Sequence, residues 1–414
     1  MKKSLRSGIE HYIFLSVVTA IGSIGLFATD IYLTALPEMC KAFNCTQAEI
    51  QMSFCSFFLG LAFCQLIAGA LSDHFGRKQI LIIGIAIFTV ASWLCATAET
   101  LPQFVAFRLL QAVGGGVGSV VFRALIVDRF DRLDAAKIFS VIFPIIGLST
   151  AIAPLLGGYI TSLWGWRGTF FFMAAFGVMI LNIVIFFLGN LKNAVPRGVS
   201  MLTQPPVLRT KKYWDLLCNL EFLGYALVIC TCFCAFRSYT VESPFVFHRQ
   251  GYVAKEMGSF YVGLSLTYLL GSLFARYLSR HSLQRAVSFG IGALVVGGLA
   301  MLCAAFLFAH SPYAIILPMC MIAFGNGLLF PIGSAAALSA VPGELSGTAA
   351  GFMGCLQFLL AAFCISYVGD ICQGQAMYMS FFIAIIILLG VGSHLFLVYK
   401  SKNRALIAEA EGLV

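Results

Sequence analysis

The chain has 414 residues, 60% of them hydrophobic and only 10% charged, with a formal net charge of +9. A soluble domain carries about 25% charged residues, so this chain cannot cover a water-facing surface. With a mean hydropathy of +0.94, it reads as a polytopic membrane protein. In a soluble protein the positive charge would suggest a nucleic-acid partner, but in a membrane protein its placement between the spans matters more than its sum.

A helix needs about 20 apolar residues to cross a bilayer, which leaves room for about twelve crossings. The first apolar run, 12–36, is too long for a signal-peptide core and lacks a small-residue cleavage site, so it stays as a membrane helix. Eleven further spans follow, near 48–72, 79–98, 102–124, 137–161, 168–190, 214–239, 256–278, 286–309, 312–334, 346–369 and 376–399. Alternate loops differ in charge. One side carries Lys2, Lys3, Arg6, Arg77, Lys78, Arg129, Arg132, Lys137, Lys192, Arg197, Arg209, Lys211, Lys212, Arg276, Arg280, Arg285, Lys400, Lys402 and Arg404. The other has only Lys41, Arg167, Arg249 and Lys255. The positive-inside rule puts both termini in the cytoplasm and accounts for the net charge without an anionic partner. Trp164, Trp166 and Trp214 fall at span boundaries, as interfacial belts require.

The connection 191–213 is polar, carries Pro196, Pro205 and Pro206, and divides the spans six and six. This gives an N-terminal six-helix bundle over 1–190, a cytoplasmic linker over 191–213, a C-terminal six-helix bundle over 214–400 and a cytoplasmic tail over 401–414. The halves are weak repeats: Gly271-Ser-Leu-Phe-Ala-Arg276-Tyr-Leu-Ser-Arg280 follows span 8 as Gly69-Ala-Leu-Ser-Asp73-His-Phe-Gly76-Arg77-Lys78 follows span 2. The expected fold is all-α and integral to the membrane, with twelve transmembrane helices in two pseudo-symmetric bundles. Many secondary transporters bind substrate near the midplane between such halves.

Ionisable residues inside a membrane are expensive and are functional candidates by default. Asp30 in span 1 and Arg108 in span 4 each lie about six residues from the outer face, roughly 9 Å deep at 1.5 Å per residue. Equal depth makes them partners for each other, and Gln111, one turn on, completes the hydrogen bonding. Burial and the arginine pull the carboxylate's pKa in opposite directions. Arginine does not lose its proton in proteins, so Asp30 is the proton carrier of such a pair; a static pair that only fixes packing is the alternative. In span 5, Pro144 and Pro154 bend the helix, while Gly147, Gly157 and Gly158 allow close packing. In the loop after span 2, Gly69 allows a close helix approach and Gly76 a turn of positive φ. Asp73 there can hold Arg77, making with Lys78 a latch that opens during a cycle. Glu221 and Arg237 in span 7 can snorkel to the interfaces, or Arg237 can face a cavity and bias substrate charge.

The Gly69–Lys78 loop resembles the signature loop of the major facilitator superfamily. Ala153-Pro154-Leu-Leu-Gly157-Gly158 resembles the antiporter motif of its drug-exporting members, with Ala153 where glycine is usual. Thr29-Asp30-Ile-Tyr32-Leu-Thr-Ala-Leu-Pro37, Glu242-Ser243-Pro244-Phe245-Val246 and Gly347-Thr-Ala-Ala-Gly351 with Gln357 resemble the bicyclomycin-resistance (Bcr/CflA) branch. Thr34 stands there in place of a proline, and Ile332 in place of the asparagine expected after Pro331. The resemblance implies a proton-driven exporter of amphipathic drugs, with Asp30 and Arg108 in the coupling site. It also implies that spans 1, 2 and 5 line the cavity, which points to Tyr32, Phe54, Phe57, Phe58 and Phe143 as its apolar wall. Export of a polar metabolite such as an amino acid, or proton-symport import, remain open on the same scaffold.

The six histidines are dispersed and no P-loop occurs, so neither an enzyme, a metal site nor ATP-driven transport is expected. The proton is the only coupling species, with no cofactor. The expected partners are a small-molecule substrate and the bilayer, with no nucleic acid, in a monomer of the bacterial inner membrane. The fourteen cysteines are scattered, without a CxxC pair, and read as small buried apolar residues. Cys40 and Cys45 share a predicted outer loop and could pair.

Overall fold

The computed structural model describes residues 2–130, 132–187, 210–278, 283–308, 311–342 and 345–410. The predicted linker therefore lies outside the described residues except for its last four, and the end of the tail does too.

The described chain is helical: α1 (Lys2–Asp30), a 3-10 turn (Leu33–Ala35), α2 (Leu36–Phe43), α3 (Gln47–Phe75), α4 (Arg77–Thr97), α5 (Leu101–Arg129), α6 (Arg132–Phe187), α7 (Thr210–Cys218), α8 (Leu220–Arg249), α9 (Ala254–Leu278), α10 (Leu283–Leu307), α11 (Tyr313–Ser339), α12 (Ser346–Cys372) and α13 (Ala376–Ala410). Eleven stretches among the described residues are long and apolar enough to cross a membrane. One of them, Ile145–Phe186, is 42 residues long and is broken at Gly165, where φ is 67° and ψ −179°. Divided there, it supplies predicted spans 5 and 6, and the count is twelve.

Local signals set the ends. Thr46 caps α3 through a reciprocal box with Glu49: the Glu49 N–H donates to Thr46 Oγ1 at 3.3 Å, and the Thr46 N–H to Glu49 Oε2 at 2.7 Å. Asn219 caps α8 by accepting from Phe222 N at 3.0 Å. Span 1 departs from the sequence expectation. Its helix stops at Asp30 instead of running to Leu36, and the chain re-forms as the 3-10 turn and α2. Irregular backbone at membrane depth is tolerated only where protein or a cavity covers it, and Ile31, Tyr32 and Leu33 are all buried.

The Cα positions divide into two compact units, Met1–Leu208 with Val253–Val262, and Arg209–Tyr252 with Gly263–Val414. In the first unit α5 is central, packed on α1, α3 and α4. Its run Gly114–Gly118 makes this possible: a Cβ at Gly118 would lie 2.7 Å from Ile21 O, and one at Gly114 2.6 Å from Gly84 O. In the second unit α8 packs on α11, α12 and α13. Leu216, Phe222, Ala226, Ala337, Val341 and Ala349 close one end of it as an apolar cluster.

Candidate functional site

The break in span 1 is where the first unit gathers its polar chemistry. Asp30, 2% exposed, is the last residue of α1. Arg108 on α5 is fully buried, and its Nη1 donates to Ala28 O at 3.2 Å and to Gln111 Oε1. These bonds fasten α5 to the end of α1 through the backbone, two residues short of the carboxylate that sequence reasoning chose as its partner. Gln111 carries the network onward by donating from Nε2 to Ser92 Oγ on α4 at 2.7 Å. Among the described protein atoms, Arg108 Nε and Nη2 have no hydrogen-bond acceptor.

Aromatic faces surround the rest of the guanidinium. Its carbon lies 4.1 Å from the Phe57 ring centroid, 4.4 Å from Tyr32 and 5.8 Å from Phe170. A desolvated contact of this kind contributes about 2 kcal/mol. Tyr32 is held in turn by Phe54, stacked at 4.7 Å, and by its hydroxyl against Ser53 Oγ at 3.1 Å. Of the three residues expected to wall a substrate cavity here, Tyr32 and Phe57 lie against the residue expected to work in coupling, and Phe54 reaches it only through Tyr32. All three are buried, as is Phe58. The side chains of Phe143 and Pro144 lie outside the described residues.

The span 5 glycines reach the same place. A Cβ on Gly157 would run into the carbonyl of Ile31, the residue after Asp30. Residues 28–31 are thus touched by both Arg108 and Gly157. Gly158 and Pro154 pack against the stretch 253–262 of the same unit: a Cβ at Gly158 would come within 2.5 Å of Ala254 O, and one at Gly258 within 2.6 Å of Pro154 O. Gly147 contributes its carbonyl, which accepts from Thr150 Oγ1 at 2.7 Å.

The Gly69–Lys78 loop is a separate, exposed network. Arg77 pairs with Asp73 and reaches Asp128 at the end of α5, with Nε to Oδ2 at 3.0 Å. Lys78 Nζ donates to Ile185 O at 3.2 Å. Gly76 has φ 95°, a turn conformation that strains any residue with a Cβ. Gly69 does not have the expected packing role, because a Cβ there would meet only Val120 Cγ1, at an ordinary 3.8 Å. In the degenerate copy the relation is reversed: a Cβ at Gly271 would collide with the carbonyl of Phe324. Ser279 and Arg280, at the end of that copy, lie outside the described residues.

Three residues carry roles the sequence reading did not assign. Trp166, expected at the interface, is 3% exposed and packs on Phe43, Phe104 and Phe170; Trp164 is 70% exposed. Glu38 Oε1 accepts from Trp166 N at 3.3 Å, a carboxylate at the start of the helix that resumes after Gly165. In the second unit Glu242, quoted only within a motif, is fully buried and accepts from Gly374 N at 2.7 Å. The rule that buried charge marks function could have found Glu242; nothing local pointed to Glu38. Arg237 is 3% exposed and lies over Phe233 and Phe236 at 5.2 and 5.7 Å, so it does not snorkel.

Asp30, the enclosed Arg108 and the glycines of span 5 thus meet at the one break in span 1. The profile of the Major Facilitator Superfamily matches residues 18–365, and the chain belongs to that superfamily. Over 400 residues it is 23% identical to the bicyclomycin resistance protein homolog of Haemophilus influenzae, covering 95% of this chain and 98% of that one. Over 167 residues it is 35% identical to the multidrug resistance protein MdtL of Escherichia coli, covering 40% of this chain and 43% of that one. Among solved structures, a D-xylose-proton symporter superposes with a TM-score of 0.74 at 16% identity, over 93% of this chain and 97% of its own. A bacterial homologue of the human lysosomal transporter Spinster, inward-facing and occupied, superposes with a TM-score of 0.72 at 12% identity, over 95% of this chain and 97% of its own. These superpositions show the fold.

Proposed function

We propose that this transporter exports drug-like amphipathic small molecules in exchange for protons, by alternating access, from the bacterial inner membrane with both termini in the cytoplasm. The observation that carries the reading is the meeting of Asp30, the Arg108 network and the aromatic rings at the break in span 1. Arginine stays charged throughout, so Asp30 supplies the exchangeable proton. A proton arriving there changes the charge beside the Ala28–Arg108 contact, and that change biases one helix arrangement over the other. Apolar and aromatic surface with few polar groups suits amphipathic ligands, and the full-length similarity to a bicyclomycin resistance homologue supports the same substrate class.

The test is transport into proteoliposomes under an imposed pH gradient across a panel of drugs and amino acids, with native protein and Asp30→Asn. Native protein should move drugs against the proton flow, and the variant should lose dependence on the gradient while still binding substrate. Undiminished gradient-driven transport by Asp30→Asn would refute the coupling assignment, and accumulation in the direction of proton flow would refute export.

A further inference from the structure

α2 ends in a Schellman turn whose two flanking positions are both cysteine. Asn44 adopts the left-handed conformation, φ 49° and ψ 48°. Its N–H donates to Lys41 O at 3.4 Å, and the Cys45 N–H closes the turn on Cys40 O at 3.0 Å. In such a turn the two residues joined by the outer bond have their side chains in contact, commonly as an apolar pair. Here both of those positions are cysteine. Both are free and partly buried, and Cys40 Sγ leans over the turn to 3.7 Å from Thr46 O. A disulfide asks for Cα atoms about 4.4–6.8 Å apart, the range into which a turn closed by one backbone bond brings its ends. The capping box of Thr46 and Glu49 holds the far side of the turn.

We propose that Cys40 and Cys45 are oxidised to a disulfide on the outer side of the membrane, by exchange with a protein disulfide of that compartment. The assignment rests on the topology proposed above. One cysteine, as thiolate, attacks the oxidant's disulfide, giving a mixed disulfide and releasing one oxidant thiol. The second cysteine then displaces the other oxidant sulfur. The pair loses two protons and two electrons, and the oxidant leaves as a dithiol. Burial pushes the Cys45 thiol above its ordinary range, which lowers its thiolate fraction and slows oxidation unless a protein oxidant with a good leaving-group sulfur supplies the disulfide. The bridge would pin the end of α2, the element that presents Glu38 to Trp166 and Phe43 to Phe104.

Trypsin provides a direct reading, because Lys41 lies inside the ring that the bridge would close. Cleavage there yields peptides 7–41 and 42–77. Membranes from expressing cells are alkylated with N-ethylmaleimide before solubilisation, digested and analysed by mass spectrometry without reductant. The two peptides should travel as one species, two hydrogens lighter than their sum, that separates on reduction and is lost in Cys40→Ser and Cys45→Ser. Recovery of 7–41 alkylated at Cys40 before reduction would overturn the disulfide. A separate arm places Ala42→Cys in a Cys40→Ser/Cys45→Ser background and treats intact cells with a membrane-impermeant maleimide. Labelling is expected; protection from it would overturn the topology, and the disulfide with it.

Discussion

Two arginines of the first unit, Arg77 and Arg108, show how the same side chain serves opposite purposes in different surroundings. Arg77 is 19% exposed and joins carboxylates that are 58% and 30% exposed, at the end of α3 and the end of α5. Exposed ion pairs contribute about 0–1 kcal/mol each, so this network can open and re-form at little cost. Arg108 is fully buried, its acceptors are a backbone carbonyl and a side-chain amide, and the rest of its surface meets aromatic rings. Water offers it no substitute. The first site suits a latch, and the second a fixed reference against which a neighbouring carboxylate can change charge.

The sharpest way to break this contrast is Arg108→Ala. It leaves Ala28 O and Gln111 Oε1 without their donor, and buried groups left unsatisfied cost about 1–3 kcal/mol each. Thermal unfolding in detergent should show a loss of roughly 2–6 kcal/mol on that basis, and transport should be abolished even where protein is recovered. Next in size is Gly157→Ala, whose methyl has to displace the Ile31 carbonyl. Overpacking of this kind costs about 1–3 kcal/mol, and gradient-driven transport should fall further than the amount of folded protein, since the displaced backbone adjoins Asp30. Phe57→Leu keeps the volume nearly filled but removes one ring from the guanidinium. About 1–2 kcal/mol of stability should go, and substrate dissociation constants, read by equilibrium binding, should change most for ligands with aromatic groups. The smallest stability effect belongs to Arg77→Gln, within about 1 kcal/mol of native. Its transport rate should nevertheless drop severalfold, and the native protein's rate should depend on ionic strength where the variant's does not. An Arg77→Gln loss as large as that of Arg108→Ala would erase the distinction between latch and reference.

Much of this is legible in the sequence alone. Hydropathy marked the spans because a bilayer demands long uninterrupted apolar helices, and Gly76 announced its turn because few other residues tolerate positive φ. Asp30 and Arg108 stood out because charge is rare at membrane depth. What escaped were relations that need two helices at once. Gly69 and Gly157 both read as residues that allow close packing; Gly69 has no such contact, whereas Gly157 backs directly onto Ile31, beside Asp30, a partner no local pattern named. Trp166 has the composition of a belt residue, but the reversal of chain direction at Gly165 turns it inward. Tyr32 and Phe57 were chosen as an apolar wall, and only packing made them the surroundings of a cation.

By itself, the sequence determined that the chain is a twelve-span membrane protein built around a few buried charges, since composition and periodicity report directly on solvent. Tertiary structure decided where span 1 stops being a helix, which carbonyl Arg108 holds and which glycine sits behind it. Those outcomes depend on distances of a few ångströms between residues up to 126 positions apart, from Ile31 to Gly157, and no local pattern encodes them. The Cys40–Cys45 turn lies between the two: the spacing was visible in the sequence, but the left-handed Asn44 that brings the thiols together was not.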